Sequence, residues 1–257
     1  MTSRTEAAQI LSDPARKEIL EKLTRNLETP ENTFKVPETM GVRSPHLTPV
    51  TEGPRTSPEN LAILFGRQLD SISGSHRILL ENETVTEAIL EHIDHLRKDS
   101  RDLGFTNNIL SWDPRILEIP DLSDTLSQQN IELVVPEDLH SSECRDSAAN
   151  IRIGLTGVEA AMASTGTVSL SNGPGMNRAA SLLPLHHILL IAQDRLYSNV
   201  EAWFEALREQ NRLEEVLCDR SQLSLVTGPS KSADIGLTLT LGVHGPRTVH
   251  AIIYKNT

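Results

Sequence analysis

Three glycine-punctuated strings carry the side chains best suited to chemistry: A-S-T-G-T-V from Ala163 to Val168, T-G-P-S-K-S-A-D-I from Thr227 to Ile235, and G-V-H-G-P from Gly242 to Pro246. Each adjoins an apolar run that reads as a strand, which places it at a strand end where backbone amides and small hydroxyls can meet a ligand. In the first string Gly166 permits a sharp turn or a close approach, and Thr165 and Thr167 flank it with hydroxyls that can donate to a carboxylate or phosphate. A tight turn entering a strand would use the same residues. The loop that follows, Ser171 to Arg178, is glycine-rich and runs into a predicted helix over Asn177 to Leu183, whose first amides and Arg178 would attract an anion.

The second string is the most distinctive. Its strand ends at Gly228-Pro229, and Ser230 is predicted to cap a helix whose first turn contains Lys231, so that exposed amides and an ammonium form an anion cradle. Asp234 either pairs with Lys231 or Arg178 or accepts a proton. His244 is the one general acid-base candidate, the alternative being a histidine that bonds the backbone of a tight turn. His186 and His187 precede a strand and read as an edge or structural pair, with no third ligand to make them a metal site. The chain has no Walker lysine arrangement, no G-x-G-x-x-G fingerprint and no nucleophile elbow.

The elements that must position these strings are read from periodicity. Ser12-Asp13-Pro14 starts a helix of about four turns bearing Ile19, Leu20, Leu23 and Leu27 on one face. Residues 29–56 form a proline-rich connector, with six of the chain's 14 prolines between Thr29 and Pro58 and no apolar periodicity. After the Ser57-Pro58 cap, helix and strand alternate. Leu61, Leu64, Phe65 and Leu69 mark one helix, Val85, Ile89, Ile93 and Leu96 a second, with a short helix over Asp121 to Gln129 and another from Ser198 to about Gln210. Strands are predicted over His76–Glu81, Ile109–Trp112, Ile131–Val135, Ile151–Leu155, Thr167–Leu170, Ile188–Ala192, Leu223–Val226 and Thr248–Tyr254. Such alternation predicts an α/β fold, a layered, mostly parallel sheet flanked by helices, over residues 57–257, with residues 1–28 as a helical appendage.

Composition narrows the function. The 257 residues carry a net charge of −11, from 35 acidic against 24 basic side chains, which argues against a sequence-independent grip on a phosphate backbone. Nucleic acid is not the expected partner. Aromatic residues make up only 3%, so the core is built from Leu, Ile, Val and Ala. The two cysteines, Cys144 and Cys218, are too few for a chain-borne iron-sulfur cluster, which takes about four thiolates. No apolar run reaches the roughly twenty residues of a membrane span, and the N-terminus lacks a secretory apolar core, so the expected location is the cytoplasm.

The combination of A-S-T-G-T, S-L-L-P at Ser181 to Pro184, T-G-P-S-K-S-A-D-I and G-V-H-G-P resembles the LUD domain of the lactate utilization protein C family, over roughly Ala88 to Lys255. The resemblance implies a fold similar to the ribose-phosphate isomerase, CoA-transferase and formyltetrahydrofolate cyclo-ligase group. It also implies a role in oxidising L-lactate to pyruvate beside cysteine-rich iron-sulfur partner proteins that carry the redox centres, with no cofactor on this chain. The chain departs from the family at Ser164 and Gly236, where carboxylates are common, which weakens a proton-transfer role. Two readings follow. One is an accessory or regulatory subunit that holds a small carboxylate or phosphate with Thr165, Gly166, Thr167, Asn177, Arg178, Gly228, Ser230 and Lys231. The other is a stand-alone folate- or CoA-related transferase or ligase using His244 and Asp234.

Overall fold

The computed structural model describes residues 14–28, 57–99, 106–136, 141–233 and 239–256, in two compact units, Met1–Pro45 and His46–Thr257. In the first unit, helix α1 spans Pro14–Glu28 and begins at the proline expected of a first turn. Ile19 and Leu20 on it are more than half exposed. The predicted connector over 29–56 lies outside the described residues.

The second unit opens with α2 (Pro58–Ser71), where Ser57 accepts a hydrogen bond from the Asn60 amide and Pro58 sits in the first turn. Leu61, Ala62, Phe65 and Leu69 form its buried face. After β1 (Ser75–Ile78) comes α3 (Val85–Asp99). Its start is a reciprocal capping box, the Glu87 carboxylate accepting from the Thr84 amide and the Thr84 hydroxyl from the Glu87 amide. There follow β2 (Asn108–Ser111), α4 (Pro114–Leu117), α5 (Leu122–Gln128), β3 (Glu132–Val134), α6 (Ser142–Ala149), β4 (Ile153–Thr156), β5 (Ala160–Met162), β6 (Thr167–Asn172), α7 (Ala179–Leu182) and β7 (His186–Ala192). The chain ends with β8 (Leu196–Tyr197), α8 (Val200–Glu209), α9 (Leu213–Cys218), β9 (Gln222–Thr227), β10 (Lys231–Ala233), β11 (Leu239–Leu241) and β12 (Thr248–Tyr254).

Six strands make the main sheet in the order β1-β12-β7-β4-β2-β3, with every pairing parallel. All seven residues of β7 are buried, as a strand covered on both faces requires. The α/β architecture expected from the alternation is therefore present. His186 and His187 are the first two residues of β7, inside the sheet rather than at an edge, because β12 and β4 pair on either side of them.

A second sheet, β8-β5-β6-β9, is mixed, with β6 antiparallel to both β5 and β9. One face contributes Ala161, Val168 and Leu170 to the main core. The other packs Ala160 and Met162 with Trp203, Leu207 and Val216 from α8 and α9. Each fully buried Leu or Ile in these cores contributes about 1.5–3 kcal/mol. The short strands β5 and β8 and the helix α9 have no counterpart in the sequence-based reading.

Candidate functional site

The first string is the turn between β5 and β6. The Gly166 amide donates to the Met162 carbonyl at 3.0 Å, and Gly166 has φ +64°, a left-handed conformation that glycine adopts without strain. A side chain there would also come within 2.8 Å of the Leu69 amide nitrogen, so the turn lies directly against the end of α2. The β6–β9 register places Thr167 opposite Thr227. The three hydroxyls form a chain, Thr165 Oγ1 donating to Thr167 Oγ1 at 2.7 Å and Thr167 Oγ1 lying 2.8 Å from Thr227 Oγ1.

The second string departs from its prediction. Ser230 does not cap a helix, and Lys231 begins the strand β10, antiparallel to β11. The backbone groups the cradle was to use are taken by the third string. The Ser230 amide donates to the Pro246 carbonyl at 2.9 Å, and its carbonyl accepts from the Gly242 amide at 3.0 Å. Non-local pairing has overridden a local capping signal. What remains of the expected site is the side chains: Gly228, with φ +68°, packs against Ile72, and the exposed Lys231 Nζ donates to Ser73 Oγ at 3.2 Å. The hydroxyl chain and Lys231 therefore both border the turn that ends α2.

His244 is exposed, and its backbone N–H donates to Ser230 Oγ at 3.3 Å. Asp234 lies outside the described residues. Asn177 ties its own loop to the segment after β3, Oδ1 accepting from the Ala179 amide at 2.8 Å and Nδ2 donating to the Pro136 carbonyl at 3.2 Å. Arg178 is exposed at the start of the four-residue α7. Among the described residues no hydrogen bond or ion pair joins Arg178 to Lys231 or to the threonines. The structure thus brings together Thr165, Gly166, Thr167, Gly228, Ser230 and Lys231, with His244 beside Ser230, and leaves Asn177 and Arg178 in a separate loop.

Sequence reasoning missed an open cleft of about 1450 Å³ at the carboxyl ends of the parallel strands, where α/β sheets commonly bind ligands. Residues just beyond β1, β2, β4, β7 and β12 line it, among them Leu79, Trp112, Gly157, Gln193 and Lys255. Arg195, Arg212 and Arg220 also line it, together with the buried Glu159. None of the described string residues named as ligand-binding does. The three arginines belong to no motif, and only Arg195, three residues beyond β7, lies where the strand-end rule points. Among the described residues no group of three or more His, Cys, Asp or Glu is placed to hold a metal ion, and no helix is long and apolar enough to cross a membrane.

A parallel α/β sheet backed by a second, mixed sheet, with two glycine-bearing strings against the end of α2 and a third paired with the second, defines the class: residues 76–254 match the LUD domain model, and the chain belongs to that family. Relatives include lactate utilization protein C of Halalkalibacterium halodurans, 32% identical over 140 residues that cover 54% of this chain and 59% of the relative. The protein of the same name from Shouchella clausii is 29% identical over 148 residues, 56% of this chain and 61% of the relative. The match thus spans about three-fifths of those proteins' length. Among solved structures, a DUF162 family protein from Deinococcus radiodurans superposes with a TM-score of 0.53 at 20% identity, covering 77% of this chain and 99% of that one. This likeness shows the shared fold alone.

Proposed function

We propose that this chain is an accessory or regulatory component of an L-lactate-oxidising system, lactate to pyruvate, that works beside cysteine-rich iron-sulfur proteins and carries no redox centre itself. The observation that carries the reading is the LUD match over residues 76–254, shared with relatives named lactate utilization protein C. The donor set agrees: both cysteines are exposed free thiols, two where a cluster needs about four. The hydroxyl chain Thr165–Thr167–Thr227 and Lys231, which bonds Ser73, hold a small carboxylate or phosphate group. Hydroxyls and an ammonium suit such an anion. With Ser164 and Gly236 in place of carboxylates, the role is binding rather than proton transfer.

The test is anaerobic purification of the tagged chain from its native cells, with iron analysis and lactate oxidation measured on the eluate. Iron, cysteine-rich partners and lactate-dependent electron transfer that falls when the chain is deleted are the expected results. An iron-free single protein, with lactate oxidation intact in the deletion strain, overturns the reading. In parallel, Lys231→Ala is expected to weaken inorganic phosphate and lactate binding by roughly tenfold. Unchanged affinity removes this site.

A further inference from the structure

We propose that the cleft at the carboxyl ends of the parallel strands is a second binding site, built for an amphipathic organic anion of cofactor size whose anionic head docks on Arg195, Arg212 and Arg220. The lining combines guanidiniums with apolar side chains. Arg195 Nη1 lies 3.9 Å and Arg220 Nη2 3.5 Å from the Glu159 carboxylate. Arg220 Nη2 also lies 3.6 Å from Glu215, and Arg212 Nε donates to Glu215 at 3.1 Å. Only the last of these is of hydrogen-bond length. The two carboxylates hold three guanidiniums in place and leave most of their N–H groups uncommitted, since each guanidinium carries five. The Arg220 Nε is itself buried with no hydrogen-bond partner.

Three guanidiniums against two carboxylates leave this part of the lining with a local excess of one positive charge, in a chain whose net charge is −11 and a cleft that Glu59, Glu81, Glu83 and Glu118 also line. The guanidinium side chains are 37%, 35% and 22% exposed for Arg195, Arg212 and Arg220, reachable from the cleft yet anchored behind it. Planar forks held this way recognise carboxylate, sulfonate or phosphate oxygens in pairs. The same cleft is also lined by apolar side chains, Leu79, Trp112, Ile116, Leu117, Leu190 and Tyr254 among them. A volume of about 1450 Å³ exceeds the range usual for drug-sized ligands and far exceeds a three-carbon hydroxy acid. A small anion alone would leave the apolar part of the lining wet. An organic anion with an extended apolar or aromatic body covers both.

Anilinonaphthalene sulfonate supplies both features and is the probe. Titrated into the full chain and followed by fluorescence and calorimetry, it is expected to bind at one saturable site, and Arg212→Gln and Arg220→Gln each weaken it roughly tenfold. Ile116→Ser is expected to weaken the probe while leaving inorganic pyrophosphate, which has only the anionic head, unaffected. Circular dichroism confirms folding, and Arg212→Gln, at the more exposed position, keeps the test valid if Arg220→Gln does not fold. Binding unchanged in both arginine variants overturns the proposal. So does loss of the probe in Lys231→Ala with retention in the arginine variants, which would assign it to the string site. Equal weakening of probe and pyrophosphate by Ile116→Ser reduces the site to a simple anion site and refutes the amphipathic assignment.

Discussion

Lowering the pH from 7.5 to 5 is expected to destabilise this protein through histidines that fold in the neutral form. His187, on β7, is 2% exposed, with Nε2 2.9 Å from Thr156 Oγ1, and burial pushes its pKa from 6.5 down to about 3. His250, on β12, bonds Ser75 Oγ through Nδ1 at 2.8 Å. Its pKa falls to about 3, first through burial and then through the charges of His92, His76, Arg77 and His95. The His92 ring stacks on it with centroids 3.8 Å apart, and its own pKa drops to about 4, through burial and then through His95 and His186.

Unfolded, each of these rings takes up a proton near pH 6.5; folded, each resists until pH 4 or below. Their contribution is therefore complete above pH 6.5 and is lost as pH falls toward the folded values. At pH 5 the chain sits about one and a half units below the unfolded value, at about 1.4 kcal/mol per unit, so His187 and His250 each remove about 2 kcal/mol. Together they remove about 4 kcal/mol, a large share of an ordinary domain's stability. The carboxylates held below their usual range, such as Glu83 and Glu215, titrate at still lower pH and leave this window to histidine. With a urea m-value of about 3 kcal/mol per molar, the unfolding midpoint falls by about 1 M or more. His187→Gln is expected to remove about 2 kcal/mol of that pH dependence. A midpoint that stays constant between pH 7.5 and 5 refutes the buried neutral histidines.

Gly166→Ala forces a left-handed φ on a residue with a Cβ and drives it into the Leu69 backbone; a loss of about 2 kcal/mol or more is expected in chemical unfolding, and a neutral result denies the close approach of the turn to α2. Trp203→Ala empties the centre of the smaller core, where the indole is 1% exposed, and is expected to cost about 3–5 kcal/mol, measured as a drop in the thermal midpoint.

Elements whose cause is local were legible from sequence. The Ser57 cap and Pro58 announce α2, the spacing of Leu61, Phe65 and Leu69 gives its buried face, and the unbroken apolar run of β7 marks a strand covered on both sides. Features set by distant partners were not. β5 and β8, of three and two residues, are too short to show a period and exist because Ala161 and Met162 find Leu196 and Tyr197 alongside. Ser230 carries the local marks of a helix cap, yet the pairing of Lys231 with Leu241 and the bond from the Ser230 amide to the carbonyl of Pro246 place it just before a strand. The string residues were singled out from composition, while the pairing that sets Thr167 beside Thr227 is long-range and left no local sign. The arginine cluster was invisible, because the fold rather than the sequence makes neighbours of Arg195, Arg212 and Arg220.

The two proposed sites are joined by one rigid strand. β6 runs from Thr167, in the hydroxyl chain, to Asn172, whose carbonyl accepts from the amide and hydroxyl of Ser221, the residue after Arg220. Six residues of strand separate them by about 17 Å, and Val168, Ser169, Leu170 and Ser171 between are all buried. A buried strand paired on both edges has no second arrangement through which to pass a signal, and coupling requires an element with two states. The sites are therefore expected to fill independently. Phosphate affinity at the Lys231 site should be the same with and without saturating anilinonaphthalene sulfonate, and the effects of Lys231→Ala and Arg212→Gln should add within about 0.5 kcal/mol. A larger interaction in that double-mutant cycle would mean that the second sheet moves when either site is occupied.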